Sequence, residues 1–139
     1  MGRTLLYRLF GLGKVPKRIL PNLEQEGIVL LDEGISGSVT FRNFRAPGRR
    51  HSWRRSWFTG SLVLTRRRFA AFAFSRPIIN VPLSNNRING LRCSLKGETK
   101  LLVQCDASAF HEGWVGSMEY RFSTIQARLF FERLKEHAA

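Results

Sequence analysis

The side chains that most often carry catalysis are scattered along this sequence. The three histidines, His51, His111 and His137, have a spacing that matches neither a metal site nor a nucleophile paired with a base. His51 stands in an arginine-rich stretch and has no carboxylate close in sequence to orient its imidazole. We therefore expect surface histidines, no bound metal and no cofactor, and the chain is predicted not to be an enzyme.

The chain has two cysteines, Cys93 and Cys105, which lack the short paired spacing of a zinc site. Both fall on apolar faces of predicted strands, so we expect reduced residues in the core. Reduced cysteines are more typical of a cytoplasmic protein than of a secreted, disulfide-stapled one. The predicted location is the cytoplasm, including the inner face of the membrane for a peripheral protein.

The residues best suited to binding lie in the segment 42–68. It contains nine arginines and neither Asp nor Glu, interleaved with Phe44, Trp53, Trp57 and Phe58. Arginine makes bidentate contacts to phosphate oxygens, and exposed indoles stack on bases or insert at the headgroup level of a bilayer. The alternative is that Trp53 and Phe58 belong to the core and the arginines form a solvated rim. We favour the core for the aromatic residues and anion binding for the arginines, because like charges without local neutralisation repel one another.

These arginines are expected to form two separate patches, because successive hairpin turns alternate between the two ends of a meandering sheet. The candidate anion-binding residues are Arg45, Arg49 and Arg50 in the second turn, Arg54 and Arg55 near or in an exposed turn, and Arg66, Arg67 and Arg68 in the third turn. The chain as a whole has 23 Lys and Arg against 10 Asp and Glu, a formal net charge of +13. Such a charge attracts anionic lipid, nucleic acid or an acidic protein, although a basic surface without a dedicated partner is the alternative.

The 139 residues suit one domain preceded by a short arm. Residues 3–12 have an amphipathic helical pattern, and the segment 1–23 is predicted to be a basic arm that lies on an anionic membrane or packs against its own domain. The arm's basic residues are Arg3, Arg8, Lys14, Lys17 and Arg18. The domain is assigned to residues 24–136, and no window approaches the ~20 apolar residues needed to span a bilayer.

Short alternating runs separated by turn residues predict a mainly β domain that ends in one helix. The candidate strands are 27–31, 38–44, 53–65, 69–75, 78–83, 91–95, 101–106 and 116–122. Ser123 followed by Gln126 has the spacing of a capping box and predicts the start of the final helix. The apolar stripe of that helix consists of Ala127, Phe130, Phe131 and Leu134, whereas Ile125 and Leu129 fall on roughly the opposite side.

Three segments resemble the pleckstrin-homology superfold, in particular its GRAM-like and bacterial pleckstrin-homology-like families. They are "GSLVLTRRRFAAF" at 60–72, "NVPLSNNRINGL" at 80–91 and "YRFSTIQARLFFERL" at 120–134. The resemblance covers about residues 24–136 and implies a curved antiparallel barrel of seven to eight strands capped by one C-terminal helix. Phosphoinositide-binding members of that superfold hold their ligand at the first turn. The turn predicted here, residues 32–37, offers Asp32 and Glu33 and no basic residue, which argues against specific inositol-phosphate recognition.

The leading functional hypothesis is a non-catalytic binding module that associates electrostatically with an anionic membrane surface or with an acidic protein. A first alternative is nucleic-acid binding by the arginine-rich segment, for which no named motif is present. A second alternative is a protein-interaction module that adds a peptide strand beside residues 78–83 and the final helix, although Pro77 and Pro82 weaken that edge.

Overall fold

The computed structural model describes residues 14–84, 90–109 and 113–137. The predicted helix at residues 3–12 and His111 lie outside these ranges. The described chain is mainly β, as predicted, with seven antiparallel strands in one sheet, one short helix near the N-terminus and one C-terminal helix. The elements are α1 (Leu20–Glu26), β1 (Ile28–Ala46), β2 (Arg49–Thr65), β3 (Arg68–Ala73), β4 (Arg76–Pro82), β5 (Arg92–Leu95), β6 (Lys100–Asp106), a 3-10 turn (Ala107–Ala109), β7 (Val115–Ser123) and α2 (Ala127–His137).

The strand order is β4-β3-β2-β1-β7-β6-β5, so the sheet consists of two meanders joined by the pairing of β1 with β7. Alternating side chains of both meanders meet in one core, which includes Leu62, Phe69, Val103 and Phe122. Burial of such apolar side chains is the main source of stability in a domain of this size.

The first two predicted strands are one strand, and the turn predicted at residues 32–37 does not exist. β1 continues through this region in register with β2, with Asp32 opposite Leu62 and Glu33 opposite Ser61. The register shifts between Glu33 and Ile35, and Gly34 between them has a φ of 71°. Glycine and acidic residues therefore mark a β-bulge here rather than a chain reversal.

Both carboxylates at this bulge have partners in other parts of the chain. Asp32 accepts a hydrogen bond from the Thr124 hydroxyl, and Glu33 accepts one from the Val15 backbone N–H at 2.8 Å. Polar groups that would suit an exposed turn are thus satisfied by tertiary contacts instead.

The apolar stripe of α2 packs into the core as predicted, with Phe130 and Leu134 buried and Phe131 partly buried. The predicted capping box is wrong, because Ser123 is the last residue of β7. The Thr124 hydroxyl instead accepts a hydrogen bond from the Gln126 backbone N–H at 3.1 Å.

The segment 14–26 packs on the outer face of the β2–β3 hairpin. Val15 and Leu23 are buried there in a second apolar cluster with the sheet residues Val63, Ala70 and Phe72. The helix α1 was not anticipated from the sequence; Pro21 stands in its first turn, where a missing backbone N–H leaves no hydrogen bond unmade. The boundary drawn between residues 23 and 24 falls inside this helix.

Replacing Phe130 with Ala should lower the free energy of unfolding by ~3 to 5 kcal/mol, because Phe130 is 0 % exposed and its loss leaves a cavity in the core. Chemical denaturation measures the effect. Leu129 is the matched control, since it is 51 % exposed and its replacement by Ala should change stability by about 0.5 kcal/mol or less. Equal denaturation midpoints for the two variants would contradict the packing of α2.

Removal of residues 1–20 should leave a cooperative thermal transition, because every strand and α2 lie downstream. The midpoint should nevertheless fall, since the loss of Val15 uncovers part of the second apolar cluster. A shorter truncation that removes residues 1–13 keeps Val15 and α1 and serves as the comparison. Insoluble protein, or no transition in the longer truncation, would show that the domain cannot fold without its N-terminal segment.

Candidate anion-binding surface

The β1–β2 hairpin extends well beyond its neighbour β3. β3 pairs with β2 only from Gly60 to Leu64, whereas β1 pairs with β2 as far as Ala46 opposite Arg49. The chain reverses at residues 47–48, and Gly48 there has a φ of 74° that favours glycine. Between Gly60 and the turn, β2 is therefore paired only with β1 among the described strands, and β1 in turn pairs with β7.

Four arginines surround the far end of this hairpin, and we call them the hairpin arginines: Arg45, Arg49, Arg50 and Arg54. All are exposed, and in the described part of the chain their guanidinium groups form no hydrogen bond and no ion pair. Arg45 and Arg50 are direct cross-strand partners, as are Ala46 and Arg49. Like charges at directly opposed positions repel each other, and an anion between them would lower that repulsion.

An aromatic cluster supports the hairpin arginines. Phe44 is fully buried, with its ring 4.8 Å from that of Phe41 and 5.5 Å from that of Trp114. The guanidinium of Arg49 lies over the rings of Phe41 and Phe44, at 5.6 and 5.7 Å from their centroids. This cation–π contact positions one of the hairpin charges over the packed rings.

His51 belongs to this cluster and is not the surface histidine that was predicted. It lies in β2 opposite Phe44, and the two rings stack with centroids 6.2 Å apart. Its Nε2 atom is buried without a hydrogen-bond partner among the described residues. His51 was expected in a loop because the residues around it are rich in arginine.

The assignment of Trp53 to the core was wrong, whereas that of Phe58 was correct. Phe58 is buried, but Trp53 and Trp57 are 58 % and 71 % exposed. Successive side chains of a strand point to opposite faces, so a core position for Phe58 places Trp57 on the other face, and Trp53 shares that face. Extending the alternation back from Leu62 and Leu64 would have revealed this.

Arg55 lies between the two tryptophans and is already engaged. Its Nε donates a hydrogen bond to the Thr40 hydroxyl at 2.9 Å, and its guanidinium lies 5.4 Å from the centre of the Trp53 ring. Its role here is to order the indole and cover a buried threonine, and its charge is less available to a ligand than those of the hairpin arginines.

On the same face Glu119 holds two further arginines. Its carboxylate accepts hydrogen bonds from Arg42 at 2.8 Å and from Arg121 at 3.2 Å. Burial raises the pKa of Glu119, but the hydrogen bonds and charges of Arg42 and Arg121 outweigh burial and leave the pKa below its ordinary value of 4.5. Arg42 is therefore neutralised from a strand distant in sequence.

The second predicted patch lies at the opposite end of β2 and is partly neutralised. Arg68 binds the Glu26 carboxylate through Nε at 2.9 and 3.0 Å and through Nη2 at 2.9 Å, and its Nη1 donates to the Asn80 side-chain oxygen at 3.0 Å. Arg66 and Arg67 are exposed. Although burial raises the pKa of Glu26, the bonds from Arg68 and Thr65 leave that pKa below its ordinary value. This patch thus offers fewer available charges than the hairpin arginines.

The predicted arm is only partly described. Arg3 and Arg8 lie outside the described residues, whereas Lys14, Lys17 and Arg18 are exposed. The carbonyl of Lys14 accepts a hydrogen bond from the Ser75 hydroxyl at 3.3 Å, which places the start of the described segment beside the β3–β4 turn.

Both cysteines are free, and their burial raises the pKa of Cys93 to about 11 and that of Cys105 to about 12. Cys105 is in the core and Cys93 packs against it, as expected.

Among the described residues no cluster of His, Cys, Asp and Glu could hold a metal ion. The helices in the described ranges are all too short or too polar to cross a membrane. No protein-family model and no curated protein matches the chain.

Stability should depend on the ionisation of Glu119, which is 5 % exposed. Because its pKa is lower in the folded than in the unfolded chain, its stabilising effect is complete above the ordinary value of 4.5 and is lost as the pH falls through the lowered folded value. Thermal midpoints measured across this acidic range should therefore fall more steeply for the parent than for Glu119→Gln.

Glu98→Gln is the control for this titration. The Glu98 carboxylate pairs with Arg128 at 2.6 Å, but the Glu98 side chain is 71 % exposed and such surface pairs contribute little. The control should follow the parent at every pH. A Glu119→Gln curve that also follows the parent would show that the pair with Arg42 and Arg121 adds no stability.

Proposed function

We propose that this chain is a pleckstrin-homology-like binding module that attaches to anionic membrane surfaces through the hairpin arginines. One observation carries the proposal: Arg45 and Arg50 oppose each other directly and have no acidic partner among the described residues. Phosphodiester groups of anionic lipids would relieve that repulsion, and the bidentate geometry of guanidinium suits phosphate oxygens.

The position of the first turn supports the resemblance on which this proposal draws. The superfold's phosphoinositide-binding members use their first turn, and the first chain reversal after β1 is at residues 47–48 rather than 32–37. Arg45, Arg49 and Arg50 flank it. The objection that the first turn carries only acidic side chains therefore no longer applies.

The exposed tryptophans extend the proposed contact along β2. Trp53 and Trp57 share a face and stand ~13 Å apart at the rise of an extended strand. Indoles are favoured at the headgroup level of a bilayer, because one edge is apolar and the N–H reaches water. Because both cysteines are free, we place the proposed attachment at the inner face of the cytoplasmic membrane.

Nucleic-acid binding is the second candidate function, and the same tryptophans favour it. Trp53 and Trp57 present accessible ring faces on the same side of β2 as Arg55, an arrangement that stacks bases and neutralises phosphates in single-strand binding proteins. The membrane remains our first choice because the least neutralised charges lie at the hairpin end rather than along the tryptophan face.

The proposal is tested by sedimentation with phosphatidylcholine vesicles that contain or lack phosphatidylserine. A variant in which all four hairpin arginines become Gln should lose on the order of 1 kcal/mol of binding free energy per arginine near the surface. Arg55 is left unchanged, because its bond to Thr40 is structural. The matched control changes the same number of charges elsewhere, at Arg18, Arg66, Arg67 and Arg76, and should retain most of the binding.

Equal losses in the two variants would mean that net charge alone drives the association and that the hairpin is not the site. If the parent protein does not sediment with either vesicle type near physiological salt, the membrane proposal fails. Binding to duplex DNA in parallel assays would favour the second candidate; its affinity should then decline with a log-salt slope of about −0.9 per phosphate contacted, and the hairpin variant should show a shallower slope.

A further inference from the structure

One edge of the sheet is open in an unusual place, in the middle of the chain's longest hairpin. β3 stops pairing with β2 at Gly60, and no strand in the described ranges pairs with β2 from Trp53 to Trp57 on that side. Edge strands with free backbone groups are templates for another strand. Of the two outer edges of the described sheet, β4 and β5, that of β4 is less suitable because Pro77 and Pro82 lack a backbone N–H.

The direction of the free backbone groups follows from the hydrogen-bond pattern. The Phe74 N–H donates to the Thr59 carbonyl at 2.9 Å, so the backbone groups of Thr59 face the β3 side. The register between β1 and β2 is regular from Gly37 opposite Phe58 to Arg42 opposite Trp53. Every second residue of a regular strand points its N–H and C=O the same way, so those of Trp53, Arg55 and Trp57 face the open edge.

The charge of this edge determines what can pair with it. In a two-fold pairing with a second copy of the chain, Arg54 and Arg55 would approach their own counterparts, and like charges across strands are destabilising. An acidic segment has the opposite charge and meets no carboxylate on β2, since the segment 42–68 has neither Asp nor Glu. We propose that this edge binds an extended acidic segment of a partner protein as an added strand.

The side chains along the edge specify the pattern of such a partner. Trp53, Arg55 and Trp57 share one face, and Arg54 and Ser56 share the other. A strand that alternates acidic and apolar residues can place its apolar residues against the indoles and its carboxylates beside Arg54. Backbone bonds provide affinity in this mode, and side chains provide specificity. The edge uses backbone groups that membrane attachment by the hairpin arginines does not need.

Two variants of Arg55 distinguish the contribution of its backbone N–H from that of its side-chain charge. Arg55→Pro and Arg55→Gln both remove the charge and the bond to Thr40, but only proline removes the N–H that faces the edge. The probe is a labelled peptide of about ten residues with alternating Glu and Val, the reach of one strand. A peptide with Pro in place of Val keeps the charge but cannot complete a ladder.

The Glu-Val peptide should bind the parent and Arg55→Gln, and Arg55→Pro should bind it at least about tenfold more weakly than Arg55→Gln because ladder bonds are lost. The Glu-Pro peptide should bind weakly to all three proteins. In the parent, bound peptide should slow amide hydrogen exchange at Trp53, Arg55 and Trp57, a readout that does not depend on the folding of the proline variant.

Equal affinities for the two peptides, or unchanged exchange at those three amides, would overturn the added strand and leave only charge attraction. Equal binding by the two Arg55 variants would do the same. The two variants should sediment with anionic vesicles to the same extent as each other, because both retain the hairpin arginines and both lose the Arg55 contacts to Thr40 and Trp53. Failure of the vesicle assay therefore bears on the proposed function, and failure of the peptide assay bears on the edge alone.

Discussion

β1 pairs with β2 from Ile28 opposite Thr65 to Ala46 opposite Arg49, and the other features of the surface depend on that pairing. Because β3 is much shorter than β2, the far half of the hairpin has a neighbour on only one side, where β7 adds to β1. The same difference in strand length exposes the hairpin arginines and frees the β2 edge. The charged end and the open edge are thus two results of one geometric mismatch.

Much of the architecture could be predicted from local patterns. Period-two alternation located nearly every strand, and the helical stripe of Phe130 and Leu134 identified the element that packs into the core. The separation of the basic residues between the two ends of β2 followed from the alternation of hairpin turns, since Arg49 begins that strand and Arg66 follows its end. These features depend on neighbours in sequence, which is why the sequence alone reveals them.

The remaining features depend on contacts between distant residues. The sequence around Asp32 and Glu33 is typical of a turn, but in the fold these carboxylates accept hydrogen bonds from Thr124 and Val15. Arg42 and Arg68 look like free charges, yet Glu119 and Glu26 neutralise them from other elements. Trp53 is apolar enough for a core, but it is exposed because no element in the described ranges packs over its face of β2. A local sequence pattern does not show which side chain from a distant part of the chain will contact a given residue.

Three consecutive residues at the bulge in β1 bind both the N-terminal segment and the residues that lead into α2. The Gln126 amide donates to the Leu31 carbonyl at 3.0 Å, next to the contacts that Asp32 makes with Thr124 and Glu33 makes with Val15. Partial opening of a protein proceeds in contiguous cooperative units. We therefore expect the N-terminal segment and the residues just before α2, although about a hundred residues apart in sequence, to open together, because loosening of either attachment weakens the other.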